Sequence, residues 1–280
     1  MKSGIYLTPG AAGEGEVLTG DRLTGDSKRR EHGSALEKSL AIVEAITQQT
    51  QAIGLPDLTA RLNLPRQTIH RILLQLEALG MIIRDPTRDR FSVGPRLSRL
   101  ALDTLLSANQ NTPVRAVLQD LVDDIHETCN VGVLDGFDFL YLERIESDWP
   151  LRVHLQAGSK VPAYCTSGGK ALLAFIPRVQ RRRLLESRAL KRYTDTTITD
   201  PPQLERDLAA CREAGYSTNN EEYNVGIVGV GVPIFGGGGR VVAGLACHAP
   251  LARVGLDGLL AYVPRMKQAA ERLSAVWDLE

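Results

Sequence analysis

Residues 65–80 read Pro65-Arg66-Gln67-Thr68-Ile69-His70-Arg71-Ile72-Leu73-Leu74-Gln75-Leu76-Glu77-Ala78-Leu79-Gly80. Proline suits the first turn of a helix, because its φ is fixed and its missing N–H is not needed there. Gly80 provides the stop. Ile69, Ile72, Leu73, Leu76 and Leu79 recur at helical spacing and form one apolar stripe. At about 100° per residue, Gln67, His70, Arg71 and Leu74 fall on the opposite side. An amide, an imidazole and a guanidinium on the exposed start of a helix can read base edges in a DNA major groove, Arg toward guanine and Gln toward adenine. Arg66 and Thr68 stand at the helix start, where phosphate contacts are natural. Any surface helix carries polar residues opposite its stripe, so the neighbouring elements decide the reading.

Upstream, Ser34 and Glu37 have the spacing of a capping box, and Leu36, Leu40, Val43 and Ile46 come after them at helical intervals. A short second helix has Pro56 near its first position, Leu58 and Leu62 facing inward, and Asn63 at its end. Downstream, 81–84 and 90–93 read as strands around the turn-forming run Asp85-Pro86-Thr87-Arg88-Asp89. Arg88 and Arg90 would sit on that hairpin, within reach of phosphate or a minor groove. Helix, short helix, proline-started helix and basic hairpin together describe a winged helix-turn-helix over residues 34–94, with the second helix bracing the third across the DNA backbone.

The rest of the chain extends this plan. The glycine-rich, charge-scattered residues 1–33 read as a disordered tail. Its basic cluster Lys28-Arg29-Arg30 either touches phosphate or is simply solvated. Residues 95–111 read as a linker helix with Leu97, Leu100, Ala101 and Leu105 in a stripe, packed on a partner chain or on its own domain. Residues 112–280 mix strands (131–134, 139–145, 151–155, 225–235, 240–248) with helices (from Lys170 to Phe175, 203–214, 256–279), which describes an α+β sheet domain. Gly236 to Gly239 reads as a hairpin turn, and the four arginines within 178–183 as a solvated helix face.

Composition agrees. The 280 residues fit two domains, 43% are hydrophobic, and 33 basic residues balance 33 acidic ones. Zero net charge excludes a wholly basic nucleic-acid coat but not a local DNA-binding face. Cys129, Cys165, Cys211 and Cys247 are too dispersed for a disulfide framework or a zinc site, so neither metal nor cofactor is expected. No apolar run approaches the roughly 20 residues of a membrane span, and the first residues lack a signal-peptide core. A cytoplasmic location is the expectation.

Two stretches bear on small-molecule chemistry. Thr166-Ser167-Gly168-Gly169-Lys170 brings hydroxyls, glycines and backbone N–H groups to a helix start, which suits a carboxylate. It lacks P-loop spacing, and an ordinary cap with glycines for close packing is the alternative. Cys165, with His154 or His248 as base, is the one nucleophile arrangement on offer, but no cysteine signature surrounds it. The neighbouring carboxylates Asp123-Asp124 and Glu221-Glu222 do not converge on one substrate. An enzyme is therefore not expected. A small-molecule-binding interaction module is the other alternative, separated by salt-dependent DNA affinity.

Residues 34–44, 62–73, 79–85 and 90–97 resemble the DNA-binding domain of the IclR family of bacterial regulators. The resemblance continues through Val161-Pro-Ala-Tyr-Cys-Thr-Ser-Gly-Gly-Lys-Ala-Leu-Leu-Ala, Gly215-Tyr-Ser-Thr-Asn-Asn-Glu-Glu-Tyr-Asn-Val-Gly and Val241-Val-Ala-Gly-Leu-Ala-Cys-His-Ala-Pro, and covers about residues 34–280. It implies a repressor or activator that reads operator DNA and binds a small organic acid in a GAF/PAS-like α+β domain, working as a dimer or a dimer of dimers. It also implies that Thr166, Ser167, Gly168 and Gly169 line the effector pocket together with Asn219, Ile227, Gly229, Gly231, Ala246 and His248. Some family members carry cysteine where Gly229 stands, or serines where Ala246 and His248 stand, which leaves the effector open. Gly229 and Gly231 would leave room for a larger, aromatic ligand. His248 is either a ligand partner or a satisfied structural histidine.

Overall fold

The computed structural model of the chain describes residues 34–49, 51–85, 88–108, 113–150 and 155–277. The expected tail and its basic cluster lie outside them. The chain divides into two compact units, Met1–Leu76 with Arg84–Ser92, and Glu77–Ile83 with Val93–Glu280.

In the first unit, α1 (Ala35–Thr47) starts on the expected capping box: Glu37 N–H donates to Ser34 Oγ at 3.2 Å and Ser34 N–H to Glu37 Oε2 at 2.5 Å. The short strand β1 (Ile53–Gly54) leads into α2 (Leu55–Leu62), which Asn63 ends in the left-handed region at φ 49°. Then come α3 (Arg66–Ala78), β2 (Ile82–Asp85) and β3 (Arg90–Val93). The three strands form one sheet in the order β1-β3-β2. β1 was not expected, because two residues carry no periodicity.

The expected stripe of α1 holds only in its second half, where Val43 is half-buried and Ile46 is buried. Leu36 and Leu40 are 69% and 52% exposed, whereas Ile42, Ala45 and Ile46 are buried. The sequence offers two apolar rows on this helix, and only packing selects between them. In α3, Ile69, Ile72, Leu73 and Leu76 are buried as expected, but Leu79 lies beyond the helix end and is exposed.

The second unit opens with α4 (Pro95–Ala108), the expected linker helix, on which Leu97 and Leu105 are partly covered while Leu100 and Ala101 are exposed. Next come α5 (Pro113–Ile125), β4 (Thr128–Asp135), β5 (Asp138–Ile145), β6 (Lys160–Pro162), α6 (Ser167–Phe175), α7 (Arg178–Glu186), α8 (Pro201–Ala214), β7 (Ser217–Asn220), β8 (Ile227–Gly236), β9 (Arg240–Pro250), α9 (Leu256–Leu260) and α10 (Val263–Trp277). The strands form a six-stranded antiparallel sheet in the order β6-β5-β4-β9-β8-β7. Alternation gives the sheet two different faces. Cys129, Val131, Val228, Val230, Leu245 and Cys247 point to a core closed by α5 and α10. The opposite face carries α6, backed by α8.

Residues 151–154 of the expected strand 151–155 lie outside the described residues, Leu155 is in no strand, and β6 pairs with β5 instead. Helix α6 begins at Ser167, three residues before Lys170, so Gly168 and Gly169 are inside it. The single C-terminal helix is two, α9 ending at Leu260 and α10 starting at Val263, because Pro264 has no N–H to donate to the Leu260 carbonyl four residues back. The arginines of α7 are not all solvated. Arg181 is buried, pairs with Glu205 through Nε–Oε1 at 2.9 Å and Nη2–Oε2 at 2.8 Å, and caps the end of α6 at Leu173 O and Ile176 O.

Glycine sets how closely α6 sits on the sheet. A Cβ on Gly231 would lie 2.5 Å from Ser167 O, and one on Gly168 would lie 2.6 Å from the Phe139 ring. The Gly231→Ala variant should therefore lose about 1–3 kcal/mol of stability through overpacking, read as a lower urea midpoint with an unchanged slope.

Candidate functional site

On α3, Arg66, Gln67, His70 and Arg71 are exposed, Thr68 is partly exposed, and Leu74 lies on the same outer side. Among these, only the backbone is engaged at the helix start, where Thr68 N–H donates to Pro65 O at 2.9 Å. Arg88 is exposed on the β2–β3 turn. Arg90 is more committed: Nη1 donates to Ala52 O at 2.9 Å and lies 3.9 Å from Asp57 Oδ2, tying β3 to the start of α2.

In the second unit, a cavity of about 40 Å³ opens between the start of α6 and the sheet. Strand register explains its lining. Asn219, Gly229, His248 and Thr128 stand side by side across β7, β8, β9 and β4, and the next row on the same face is Ser217, Gly231, Ala246, Asn130 and Arg144. Seven expected residues line the cavity: Thr166, Ser167, Gly168, Asn219, Ile227, Ala246 and His248. Gly169 does not; it is pressed against the Ala163 backbone. Nor do Gly229 and Gly231, whose faces are filled by Ser167 rather than by open space. They make room for a helix, not for an aromatic ring. Asn130, Phe139, Tyr141, Leu155, Tyr223 and Asn224, which no sequence spacing marks as cavity residues, complete the lining.

The polar groups are specifically placed. Thr166 caps α6 with its backbone only, its Oγ1 donating instead to Pro162 O at 2.8 Å. The first N–H groups of α6 have no partner within the helix. Asn219 Oδ1 accepts from Glu222 N–H at 2.8 Å, so its remaining amide group is a donor. His248 sits between Asn130 Nδ2, 3.3 Å from its Nδ1, and Arg144 Nη1, 3.2 Å from its Nε2. Burial, then the charges of Arg144 and Arg253, pushes the His248 pKa down to about 3.

Two family profiles match the chain: "IclR helix-turn-helix domain" over residues 35–86, and "Bacterial transcriptional regulator IclR C-terminal" over residues 104–275. The chain belongs to the IclR family. It is a transcriptional regulator with a helix-turn-helix DNA-binding domain and a C-terminal effector domain. SauR of Cupriavidus necator is 38% identical over 240 residues, covering 86% of this chain and 95% of that one. The HTH-type transcriptional regulator KdgR of Escherichia coli is 30% identical over 248 residues, covering 89% and 94%. An IclR homologue from Microbacterium hydrocarbonoxydans, solved with 4-hydroxybenzoate, is 26% identical with a TM-score of 0.55, covering 87% of this chain and 99% of that one. No helix among the described residues is long and apolar enough to cross a membrane.

Within this IclR-family effector domain, Lys170 does not face the cavity as a free cation. It is 1% exposed, and its Nζ lies 2.7 Å from Glu222 Oε1 and 3.0 Å from Asp207 Oδ2. Burial opposes its charge, but the two carboxylates outweigh burial and hold its pKa above the ordinary lysine value. Cys165 does not have a nucleophile's surroundings: burial, then the Glu222 charge, pushes its thiol up to about 12. His154, one of its two candidate bases, lies outside the described residues.

Both buried groups can be tested by unfolding. Lys170→Met leaves Glu222 buried without its cation and should cost about 3–5 kcal/mol in denaturant unfolding. His248 binds its proton less readily folded than unfolded, so its contribution is complete above the unfolded pKa near 6.5 and is lost as pH falls toward about 3. Stability should therefore decline between pH 6.5 and 4 more steeply in the wild type than in His248→Asn.

Proposed function

We propose that α3 is the recognition helix, that the cavity beside α6 is the effector site, and that the chain works as a dimer or a dimer of dimers in the cytoplasm. The observation that carries the first part is the exposed row Gln67, His70 and Arg71, opposite a buried stripe on a helix that opens with Arg66 and Thr68. Gln67 and Arg71 read base edges, His70 adds a contact beside them, and Arg66 and Thr68 hold phosphate. Arg88 supplies a phosphate contact from the wing. Arg90, tied to Ala52 and Asp57, holds the wing in place and contributes charge rather than a free side chain. One helix in one groove gives modest affinity, so two copies on a near-palindromic site are required. The exposed leucines of α1 and α4, Leu36, Leu40 and Leu100, are available for that pairing.

The effector is a small organic acid. Its carboxylate meets the free N–H groups at the start of α6, the Ser167 hydroxyl and the Asn219 amide, while Gly168, Ile227, Ala246 and His248 form the surrounding wall. Gly169, Gly229 and Gly231 act one step back, by letting α6 approach. The bound 4-hydroxybenzoate of the Microbacterium homologue supports an acid as ligand class. A space of about 40 Å³ holds roughly two or three waters, so a larger acid must first widen the cavity. The ligand regulates DNA binding because it binds one arrangement of the dimer better than the other, transmitted through α4.

The test is DNA binding by the full chain across a salt series, on the promoter nearest its own gene. Gln67→Ala with Arg71→Ala should cost about 2–6 kcal/mol, from about 1–3 kcal/mol for each base contact, with circular dichroism unchanged. Arg66→Ala should weaken all sequences alike and lower the salt slope by about one. A double variant that binds as tightly as the wild type would sink the assignment of α3, and equal DNA affinity across a saturating panel of acids would sink the effector site.

A further inference from the structure

One wall of the cavity carries a polar arrangement that its carboxylate-binding end does not explain. Asn130 lies on β4, 1% exposed, and lines the cavity beside Ala246 and His248. Its Oδ1 is buried and has no hydrogen-bond partner, while its Nδ2 faces His248 Nδ1 at 3.3 Å. On the far side of the imidazole, Arg144 Nη1 lies 3.2 Å from Nε2.

Donor and acceptor accounting fixes this network. Arginine has only donors, so His248 Nε2 must accept. A neutral imidazole has one bare nitrogen, so Nδ1 carries the hydrogen and must donate. The ring is neutral at ordinary pH, since burial and then Arg144 and Arg253 hold its pKa near 3. An N–H cannot donate to an NH2 group. Turning the Asn130 amide over, an exchange of near-identical atoms, sets Oδ1 on Nδ1–H and satisfies His248 on both sides. The NH2 group then takes the place of the orphaned oxygen. The chain Arg144, His248, Asn130 thus runs in one direction and delivers a donor at the cavity wall.

We propose that Asn130 is a specificity-determining residue whose side-chain NH2 donates to an oxygen acceptor on the bound acid, so that the effector is a small organic acid with a second, acceptor-bearing group such as a ketone or a further carboxylate. The proposal rests on the reading of this cavity as the effector site. A simple alkyl acid leaves the buried donor unmade, and an acid with an ammonium there opposes donor to donor.

The experiment titrates the full chain by calorimetry with two sets of near-isosteric acids: pyruvate, isobutyrate and alanine, then acetoacetate, isovalerate and 3-aminobutyrate. Within a set only one group changes, from carbonyl to methyl-bearing carbon to ammonium. The keto acid of at least one set should bind at least about tenfold more tightly than both analogues. Asn130→Leu should abolish that preference while retaining affinity for the alkyl acid. Equal binding within both sets, preference for the amino acid, or a preference that survives in Asn130→Leu would overturn the proposal while leaving the cavity as an acid site. If none of the six binds the wild type, the effector reading falls and takes this proposal with it. A second measurement needs no variant: nitrogen NMR of histidine-labelled wild type should show His248 with Nδ1 protonated and Nε2 bare. The opposite tautomer would also overturn the proposal.

Discussion

The start of α6 rests on the sheet because the strand face beneath it is nearly bare. Ser167 lies over Gly229 and Gly231, while the Phe139 ring fills the space beside Gly132, Gly168 and Gly244. At native packing density there is no slack for even one added methyl group. This seat brings the N–H groups of the first helical turn, which have no partner within the helix, to the polar groups of β4, β7 and β9. It also forces Lys170, one turn on, into the interior, where only Glu222 and Asp207 make its charge tolerable. Glu222 in turn fixes Asn219 through its own N–H. A packing constraint and an ion cluster are thereby parts of one arrangement around the cavity.

The two units present polar groups in opposite ways. On α3 they are exposed and mostly without side-chain partners, so their reach is long, mobile and screened by salt. In the effector domain they are buried, and nearly every one is engaged. Low dielectric then makes each remaining unpaired group costly and therefore selective. Arg90 and Arg181 show that arginine alone does not distinguish the two cases. One ties a wing to a helix start, and the other pairs with Glu205 and caps a helix end.

Much of the first unit is legible in the sequence because helix periodicity and caps are local. Ser34, Asn63 and Gly80 mark the ends they promise, and the outer face of α3 comes directly from spacing. The phase of the first half of α1 is not legible, since two apolar rows compete and only tertiary contact chooses. In the second unit, resemblance places seven residues at the cavity, yet glycine is ambiguous. A missing side chain does not reveal whether ligand or backbone occupies the gap, and at Gly229 and Gly231 it is Ser167. Asn130 is invisible because its meaning depends on His248, a partner 118 positions away that antiparallel register alone brings near. Nor does sequence separate a buried charge from a solvated one, which is why the burial of Lys170 and Arg181 emerges only in the folded chain.

The glycine seat also separates two kinds of position. Replacing a glycine under α6 displaces the helix before it alters any chemistry, so those positions are coupled to stability. Asn130, Tyr223, Ile227 and His248 stand at the rim or wall, where a changed side chain alters polarity and shape without lifting the helix. A single substitution at the wall therefore changes the polarity or shape of the cavity directly, whereas one at the floor acts on packing first. The chemistry of the cavity and the seating of its helix are thus adjustable at separate positions.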